Sequence, residues 1–384
     1  MRALGLMSGT SLDGIDAALV DLIPRGDGYA VTVVRFDSQP FESRLRERLE
    51  AALPPERGST AAVAQLHADL AAAFTATAIA TVEDEHVDFV ATHGLTIYHD
   101  GPRSTTLQIG RPYELRDALR ASVIWDFRSA DCALGGSGAP LVPFVDAIVF
   151  GSGEEDRIAV NIGGICNLTV LRRSQKPSDV VAFDVGAGTM LLDAFVHERT
   201  GETMDFDGKL SAKGTVDEKL LEGLLADPYF ALEPPKSTGR EQFGRQMLDA
   251  HRHELSRLGA EDGCATLVAF TVRPLADAIR RYGAPGSRVI LGGGGSRNPA
   301  LVQMLGEALG AGVPIETSDD FGINADAKEA VAFAILGYET LRGRPANVPR
   351  VTGAHAPAIL GSIVPYELPV LLARVALETV DANR

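Results

Sequence analysis

Three glycine-rich loops in this chain each follow directly on an apolar segment of strand composition. They occupy residues 9–14, 184–189 and 292–295. A strand that ends in a glycine loop can present backbone N–H groups to phosphate oxygens, because glycine tolerates positive φ values and allows close approach. Each loop alone is equally compatible with an ordinary tight turn. Three of them in one chain favour an α/β fold that binds a nucleotide.

The opening pattern of the chain recurs in its middle. Residues 2–36 predict a strand, a polar turn and two further strands, and residues 157–171 again predict strand, glycine turn, strand. Gly163 and Gly164 stand where the first copy has its small-residue turn. We interpret this as a weak internal repeat of two similar α/β halves, each begun by a β-hairpin. Two unrelated hairpins are the alternative.

Helical periodicity fills most of the remaining chain. Helices are predicted at residues 42–52, 59–83, 190–200, 217–226, 243–258, 265–282 and 325–341. After the third glycine loop, Asn298 is placed to cap a further helix with Pro299 in its first turn. The apolar tail from Ile359 to Val380 is expected to dock on a core, and the first half is the candidate.

Composition excludes several classes of protein. The 384 residues carry 36 Lys+Arg against 51 Asp+Glu, a net charge of −15 that argues against a nucleic acid or an anionic membrane as partner. Three cysteines are too few for a disulfide framework or a zinc site. The uncharged stretch 70–82 is shorter than the roughly 18 residues of a membrane span and indicates a buried helix. We therefore expect a soluble, cytoplasmic protein.

Other nucleotide-binding folds fit less well. The chain has no GxxxxGK[ST] motif, which excludes a P-loop, and no convincing GxGxxG opens a first βαβ unit. VVAFDVGAG at residues 180–188 does resemble the first motif of S-adenosylmethionine methyltransferases. That alternative requires an acidic residue at the end of the next strand, where this chain has a helix and the polar segment MDFDGKLSAKG.

Asp184 is the strongest candidate for acid–base chemistry. It ends an apolar strand, where desolvation can make a carboxylate a useful base. On local grounds it could equally cap the helix that begins near Thr189. Hydroxyls of Thr10, Ser11 and Thr189 could donate to phosphate, and Asp13 or Asp184 could hold a hydrated Mg²⁺.

Further polar candidates lie in three short segments. His93 and His99 share a loop after a strand and are expected to form hydrogen bonds rather than to bind a metal. The run from Trp125 to Asp131 suits a sugar face and its hydroxyls, although a surface salt bridge is the commoner outcome of such a run. Lys236 and Arg240 fit an anion contact or a solvated loop.

Taken together, these segments resemble the anhydro-N-acetylmuramic acid kinase family, within the actin-like and hexokinase-like ATPases. The resemblance covers nearly the whole chain. It is carried by GLMSGTSLDGIDAALVD at 5–21, THGLTIYHDGP at 92–102, LQIGRP at 107–112, DFRSADCALGGSGAPLVP at 126–143, NIGGICNLT at 161–169, FDVGAGTMLLDAF at 183–195, PPKSTGREQF at 234–243, LGGGGSRNP at 291–299 and EAVAFAILG from Glu329.

The resemblance implies an α/β fold of two similar ribonuclease-H-like domains of the actin/hexokinase type, with mixed sheets flanked by helices and an interdomain cleft. The N-terminal domain would comprise residues 1–145 plus 355–384 and carry the first phosphate loop. Residues 146–354 would form the C-terminal domain with the catalytic aspartate and the glycine-rich nucleotide loop. The oligomeric state is left open, with a homodimer as the candidate assembly.

The implied activity is that of an ATP- and Mg²⁺-dependent kinase that opens a 1,6-anhydro sugar with water and phosphorylates O6, in cell-wall recycling. Asp184 would be the catalytic base, and it would contact the sugar together with His93, Arg128 and Glu329. Asp13 would be the metal ligand. The residues implied to bind the nucleotide are Gly9, Thr10, Ser11, Leu12, Asp13, Gly14, Ile15, Asp16, Gly164, Gly186, Gly188, Gly293 and Gly294.

Six positions depart from the family pattern. They are Leu95, Ser137, Asp146, Val185, Ala187 and Thr189. The base is retained, so the departures bear on sugar contacts and leave the identity of the anhydro sugar open. A kinase of the levoglucosan type and a nucleotide- and sugar-binding module without turnover are therefore the two alternatives.

Overall fold

The computed structural model describes residues 1–9, 11–25, 28–54 and 58–381. Its strands, in chain order, are β1 (Arg2–Ser8), β2 (Gly14–Arg25), β3 (Gly28–Pro40), β4 (Phe89–Asp100), β5 (Thr105–Ile109), β6 (Ser122–Trp125), β7 (Arg157–Ile162), β8 (Ile165–Leu171), β9 (Val181–Ala187), β10 (Arg288–Gly292), β11 (Ile315–Thr317) and β12 (Ser362–Val364). Its helices are α1 (Ser43–Glu50), α2 (Thr60–Val82), α3 (Tyr113–Leu119), α4 (Ser129–Ala133), α5 (Val142–Val149), α6 (Met190–Thr200), α7 (Glu218–Leu225), α8 (Arg240–Phe243), α9 (Arg245–Ala250), α10 (Arg252–Arg257), α11 (Ala260–Tyr282), α12 (Pro299–Leu309), α13 (Lys328–Leu341), α14 (Pro349–Thr352) and α15 (Leu368–Asp381).

The chain forms two compact units. Unit 1 contains residues 1–149, 177–179 and 322–384, and unit 2 contains residues 150–176 and 180–321. Each unit is built around its own sheet and its own cluster of buried apolar side chains.

The sheet of unit 1 runs in the order β12-β6-β4-β1-β2-β3, with β5 paired to β4. Strands β1, β2 and β3 are antiparallel neighbours, whereas β4 and β6 continue the sheet parallel to β1. Buried residues of β1 and β2 pack against α2, and those of β4 belong to the same core cluster. Because β4 and β6 run parallel to β1, helices must cross between these three strands, which produces a mixed sheet with helical cover.

Helix α2 is long and apolar enough to span a membrane by length and composition alone. In unit 1 one of its faces is buried, including Leu66, Leu70, Phe74 and Ala78, and these side chains belong to the core cluster. A spacing of four residues brings them onto one side of the helix. The buried helix expected from the stretch 70–82 is therefore found, within a longer element.

The sheet of unit 2 repeats the same plan. Its order is β11-β10-β7-β8-β9, with β7, β8 and β9 antiparallel and with β10 and β11 parallel to β7. In both units, counting the five shared strands in chain order, the sheet reads third, second, first, fourth, fifth. This common order confirms the internal repeat and the two ribonuclease-H-like domains of the actin/hexokinase type.

The boundary of unit 1 differs from the predicted one. Residues 322–354, which were predicted to belong to the C-terminal domain, pack with unit 1. The reason is α13, whose Phe333 meets the rings of His93 and Phe127 at centroid distances of 4.6 and 5.4 Å, while its Tyr338 stacks on Phe89 at 6.3 Å. The chain therefore returns to its first core earlier than residue 355.

The predicted helix at 243–258 is also wrong in its continuity. Gly244 has φ −104° and ψ −152°, outside the helical region, and His251 has φ −105° and ψ 15°. The segment is consequently divided into the short helices α8, α9 and α10. Helix α11 begins at Ala260, ahead of the predicted start at residue 265.

Candidate active site

Asp184 lies in β9, an edge strand of the unit 2 sheet, opposite Asn167 of β8. One carboxylate oxygen, Oδ2, accepts a hydrogen bond from the backbone N–H of Thr238 at 3.0 Å. The other oxygen, Oδ1, accepts none from the part of the chain that the structure describes. The side chain is half-buried. One oxygen is thus fixed, and the other is available to a water molecule or a ligand.

The surroundings of this carboxylate favour its protonated form. Desolvation raises the pKa of Asp184 to about 6, the Thr238 N–H opposes that rise, and the charge of Glu241 adds to it. A base with this pKa is mostly ionised at neutral pH and still binds a proton effectively.

Two alternative interpretations of Asp184 are wrong. Helix α6 has Thr189 as its N-cap residue and no side-chain cap hydrogen bond, so Asp184 does not cap it. The strand that carries Asp184 is antiparallel to β8, whereas the methyltransferase alternative needs a parallel βαβ unit at this point.

The loop after Asp184 is hydrogen-bonded to the β7–β8 turn. The N–H groups of Gly188 and Met190 donate to the carbonyl of Gly164 at 2.9 and 3.3 Å, and that of Thr189 donates to Gly163 at 2.8 Å. Gly188 must be glycine, because a Cβ there would lie 1.9 Å from the Gly163 carbonyl oxygen. These loop N–H groups are therefore engaged, while the N–H groups of Gly163 and Gly164 donate to no acceptor among the described residues.

The third glycine loop follows β10 in the same unit. Gly293 has a φ of +78°, and a Cβ there would lie 2.7 Å from the carbonyl oxygen of Ile162. Gly294 is exposed, with open space where a Cβ would be. Asn298 accepts hydrogen bonds from Ala300 and Leu301, which confirms it as the cap of α12. Among the glycines predicted to bind the nucleotide in unit 2, Gly186 is buried, whereas Gly164 of the β7–β8 turn is half-buried.

The first glycine loop belongs to unit 1. Thr10, one of the predicted phosphate donors, lies outside the described residues. Leu12 and Ile15 are each 2% exposed and pack in the core of unit 1. Ser11 and Asp13 are exposed. The loop therefore offers its polar side chains to solvent while its apolar ones anchor it.

Carboxylates concentrate beside this loop. Desolvation raises the pKa of Asp16, and the charges of Asp326 and Asp13 raise it further, whereas the Ser38 hydroxyl lowers it. No group of three or more His, Cys, Asp or Glu residues at metal-binding distances occurs within residues 1–9, 11–25, 28–54 and 58–381. The local surplus of negative charge nevertheless suits a hydrated cation that a ligand shares.

A second group of polar residues in unit 1 centres on Arg128. Its Nε donates to Nε2 of His93 at 2.9 Å, and its Nη1 donates to the carbonyl of Gly138 at 2.8 Å. His93 is 4% exposed, and its Nδ1 contacts the Gly94 carbonyl at 3.0 Å. Burial moves the pKa of His93 well below its usual range, and the Arg128 charge acts in the same direction. The imidazole is thus neutral and both of its nitrogens are occupied.

Glu329, at the start of α13, completes this group. The residue is exposed at the surface, and desolvation by the protein around its carboxyl group raises the pKa of that group. The charge of Arg128 opposes that rise, and Asp16 reinforces it. Arg128 and Glu329 therefore offer a cation and an anion from the same unit, a combination that can orient sugar hydroxyls.

Two of the departures from the family pattern acquire a structural account. Asp146 is 3% exposed and forms an ion pair with Nζ of Lys328 at 2.7 Å, so this carboxylate is engaged within the protein. Ser137 donates to the carbonyl oxygens of Ala139 and Thr352 at 2.5 and 3.0 Å. Both side chains are therefore used to hold the fold of unit 1.

The run from Trp125 to Asp131 forms no Arg128–Asp131 ion pair among the described residues, so the salt-bridge interpretation is wrong. Asp131 is fully buried and accepts hydrogen bonds from Gly138, Asn347 and Thr352. Trp125 lines a cavity of about 390 Å³ in unit 1. The run therefore shapes the loop that carries Arg128.

Sequence reasoning missed Tyr229 and did not place Lys236 beside Asp184. Tyr229 donates through its hydroxyl to the Asp184 carbonyl at 2.7 Å, and Lys236 accepts from the Asp184 N–H at 3.3 Å. The Lys236 ammonium lies 4.6 Å from the centre of the Tyr229 ring, which gives this half-buried cation a partner within the protein. Of the other polar residues considered from the sequence, His99 forms a hydrogen bond with Thr106, and Arg240 is exposed.

Two ribonuclease-H-like sheets of one strand order, with glycine loops beside them, place the chain in the actin-like and hexokinase-like ATPase class. A sequence model described as anhydro-N-acetylmuramic acid kinase matches residues 1–366. The anhydro-N-acetylmuramic acid kinase of Streptomyces avermitilis is 43% identical over 95% of this chain and 94% of its own length. That of Synechococcus elongatus is 41% identical over 94% and 99%. The chain belongs to the anhydro-N-acetylmuramic acid kinase family and is an ATP-dependent kinase.

Proposed function

We propose that this kinase converts 1,6-anhydro-N-acetylmuramic acid, water and ATP into N-acetylmuramic acid 6-phosphate and ADP, during recycling of cell-wall fragments. The observation that carries the proposal is the half-buried Asp184 carboxylate, with one oxygen held by Thr238 and the other open. Family membership supports the reaction type. The cytoplasm, where ATP is available and the three free cysteines stay reduced, is the proposed location.

Asp184 is the base in this proposal. A water molecule bound at its open oxygen attacks the anomeric carbon, and the proton of that water passes to the carboxylate. The bond from the anomeric carbon to O6 breaks, its electron pair stays on O6, and O6 takes the γ-phosphoryl group as ADP leaves. The proton on Asp184 then passes to solvent. Inversion at an acetal carbon requires the base on the face opposite the leaving oxygen.

Arg128 and Glu329 are the proposed sugar contacts. The guanidinium donates to ring substituents, and the open carboxylate of Glu329 accepts from a hydroxyl group. His93 acts through Arg128, because both of its nitrogens are already occupied. We therefore assign His93 as a positioning residue, a narrower role than the sugar contact expected from the sequence.

The glycine loops are the proposed nucleotide contacts. The unpartnered N–H groups of Gly163 and Gly164 and the open position at Gly294 support phosphate and nucleotide binding in unit 2. The hydroxyl of the exposed Ser11 and the backbone of Gly9 and of residues 11–14 support it in unit 1. Positioning by backbone groups suits phosphoryl transfer, which depends mainly on orientation and charge stabilisation.

The carboxylates beside the first loop fit a magnesium ion. Mg²⁺ needs only one or two protein carboxylates, because waters and substrate phosphates complete its coordination. Asp13 is exposed, and desolvation raises the pKa of Asp16, with the charges of Asp326 and Asp13 adding to the rise. We propose Asp13 as the ligand, with Asp16 beside it. A bound Mg²⁺ would supply charge neutralisation at the transferring phosphate.

The test is ADP release from Mg-ATP with a panel of 1,6-anhydro sugars, with products identified by mass. We expect turnover with 1,6-anhydro-N-acetylmuramic acid and a product that carries one phosphate and one added water. Turnover with levoglucosan alone would reassign the substrate. Absence of ADP release with every sugar, together with thermal stabilisation by ATP, would favour a binding module without turnover.

A further inference from the structure

A closed ring of hydrogen bonds joins Asp184, the proposed catalytic base, to the segment 227–242. Thr238 donates through its backbone N–H to Asp184 Oδ2 at 3.0 Å and through its hydroxyl to Gln242 Oε1 at 2.9 Å. Gln242 Nε2 donates to Asp227 Oδ1 at 2.9 Å, and that oxygen also accepts from the N–H of Tyr229 at 2.8 Å. The Tyr229 hydroxyl closes the ring on the Asp184 carbonyl at 2.7 Å.

The orientation of the Gln242 carboxamide is fixed by this network. Its oxygen faces the Thr238 hydroxyl and its nitrogen faces the Asp227 carboxylate. The reverse orientation would set the amide oxygen against a carboxylate oxygen, two acceptors without a proton between them. Gln242 is thus matched to both neighbours, and a glutamate in its place could not donate to Asp227.

The ring joins parts of the chain that are distant in sequence. Asp184 and Thr238 are separated by 54 positions and Asp184 and Tyr229 by 45. Lys236 adds a further link, since its carbonyl accepts from the Asp184 N–H and its ammonium lies over the Tyr229 ring. An open cavity of about 620 Å³ borders this segment, so little packing holds it from that side.

We propose that Gln242 is a positioning residue for the water-activating step, which acts through Thr238 to hold the Asp184 carboxylate with one oxygen fixed and the other directed to the water. Asp227 and Tyr229 complete the same support. This inference rests on the proposed role of Asp184 as the base. It adds four residues, Asp227, Tyr229, Thr238 and Gln242, whose hydrogen bonds form one ring that holds the carboxylate of Asp184 through Thr238 and its backbone carbonyl through Tyr229.

The physical argument concerns the Thr238 N–H. That group is the single hydrogen bond to the carboxylate within the described residues, and it stabilises the ionised form. It stays aligned while the Thr238 hydroxyl is held by Gln242, which is held in turn by Asp227. When Gln242 can no longer bind, the loop relaxes, the carboxylate gains rotational freedom, and its ionised form loses support.

The test compares Gln242→Met with the control Gln303→Met, because Gln303 is an exposed residue of α12 whose amide, within the described part of the chain, contacts only Glu307. Both variants are assayed with Mg-ATP and 1,6-anhydro-N-acetylmuramic acid across a pH range. For Gln242→Met we expect kcat to fall about tenfold, KM for ATP to stay unchanged, and the acid limb of kcat/KM to move to higher pH. The control should match the wild type in all three.

Thr238→Val provides a second variant of nearly the same shape, which keeps the backbone N–H and removes only the hydroxyl that binds Gln242. It should reproduce the shifted acid limb, and it decides the question if Gln242→Met does not fold. An unmoved acid limb with wild-type kcat in Thr238→Val would overturn the inference. The variant Asp184→Asn tests the proposed base separately from the positioning role of Gln242, since wild-type turnover in that variant would overturn the proposed base itself.

Discussion

The imidazole of His93 and the guanidinium of Arg128 form a neutral–cation pair, with Arg128 Nε donating to His93 Nε2 over 2.9 Å. Because His93 is buried and its pKa lies well below the usual range, it accepts this hydrogen bond across the physiological pH range. The second guanidinium anchor is the Gly138 carbonyl at 2.8 Å. Arg128 is therefore presented to a ligand in one orientation, at little entropic cost on binding.

Removal of the acceptor at position 93 should weaken binding of the sugar. His93→Phe keeps a ring beside Phe333 but cannot accept from Arg128, so we expect KM for the anhydro sugar to rise about fivefold to tenfold, with KM for ATP unchanged. His93→Gln offers an amide oxygen as acceptor and should lose less. Equal losses in the two variants, measured by steady-state kinetics, would contradict the positioning role.

Activity should fall in acid because the base becomes protonated. The pKa of Asp184 is raised to about 6, and the ionised form is the active one, so kcat/KM should be constant above that pH and fall about tenfold per pH unit below it. A pH–rate profile at saturating Mg-ATP measures this limb. A profile without a limb between about pH 5 and pH 7 would contradict the assignment.

The raised pKa also has a consequence for stability. The folded state binds a proton at Asp184 more tightly than the unfolded chain does, so the ionised carboxylate costs folding free energy above about pH 6, and this cost disappears below the unfolded pKa near 4. Asp184→Asn removes the charge and should stabilise unit 2 by about 1 to 2 kcal/mol at neutral pH, after allowance for partial exposure. Thermal unfolding at pH 7.5 should show a higher Tm in the variant, and at pH 4.5 the difference should shrink.

The Asp146–Lys328 pair should matter for folding more than for chemistry. Both side chains are almost fully buried, at 4% and 7% exposure, so Lys328→Met leaves a carboxylate without its cation. We expect a loss of about 3 kcal/mol in the free energy of unfolding. The double variant with Asp146→Leu should recover most of it. Denaturant titration of the single and double variants checks this, and no recovery in the double variant would show that the pair is not the cause.

The contact between the loop after Asp184 and the β7–β8 turn should set the affinity for ATP. Gly188→Ala places a methyl group against the Gly163 carbonyl and displaces the β7–β8 turn, whose Gly163 and Gly164 N–H groups donate to no acceptor among the described residues. A shift of about 1 Å at a positioned group can cost about 100-fold, so we expect KM for ATP to rise at least tenfold. Gly153→Ala is the matched control, since nothing lies within 4 Å of its Cβ position. Isothermal titration with a non-hydrolysable ATP analogue measures the affinity directly.

Local patterns predicted the parts of this structure that depend on local interactions. The cap at Asn298 and the strand–turn–strand hairpins follow from side-chain chemistry within a few positions, and the structure confirms them. The internal repeat was only weakly predicted, because unrelated β-hairpins share the same strand–turn–strand sequence pattern. It becomes certain only from the order of parallel strands, which depends on pairings such as β7 with β10, far apart in sequence.

The support of Asp184 could not be predicted in the same way. Thr238 and Gln242 lie in the segment PPKSTGREQF, which the family resemblance marks without assigning a role to either residue. The contact of Thr238 with Asp184 spans 54 positions and uses a backbone N–H, which has no side-chain signature, and Gln242 reaches Asp184 only through Thr238. The family resemblance implied that His93 touches the sugar. A sequence shows that a histidine is present, but it does not show that both of its nitrogens are occupied.

The return of the chain to unit 1 at Gly322 bears on the order in which the protein is made. Helix α13 packs on β1 and β4, so the first core lacks one of its covering helices until the ribosome has passed residue 341. All of unit 2, by contrast, has been synthesised by residue 321. The half that begins first is completed last, and for many seconds at roughly 5 to 20 residues per second its nascent sheet leaves exposed the apolar surface that α13 later covers.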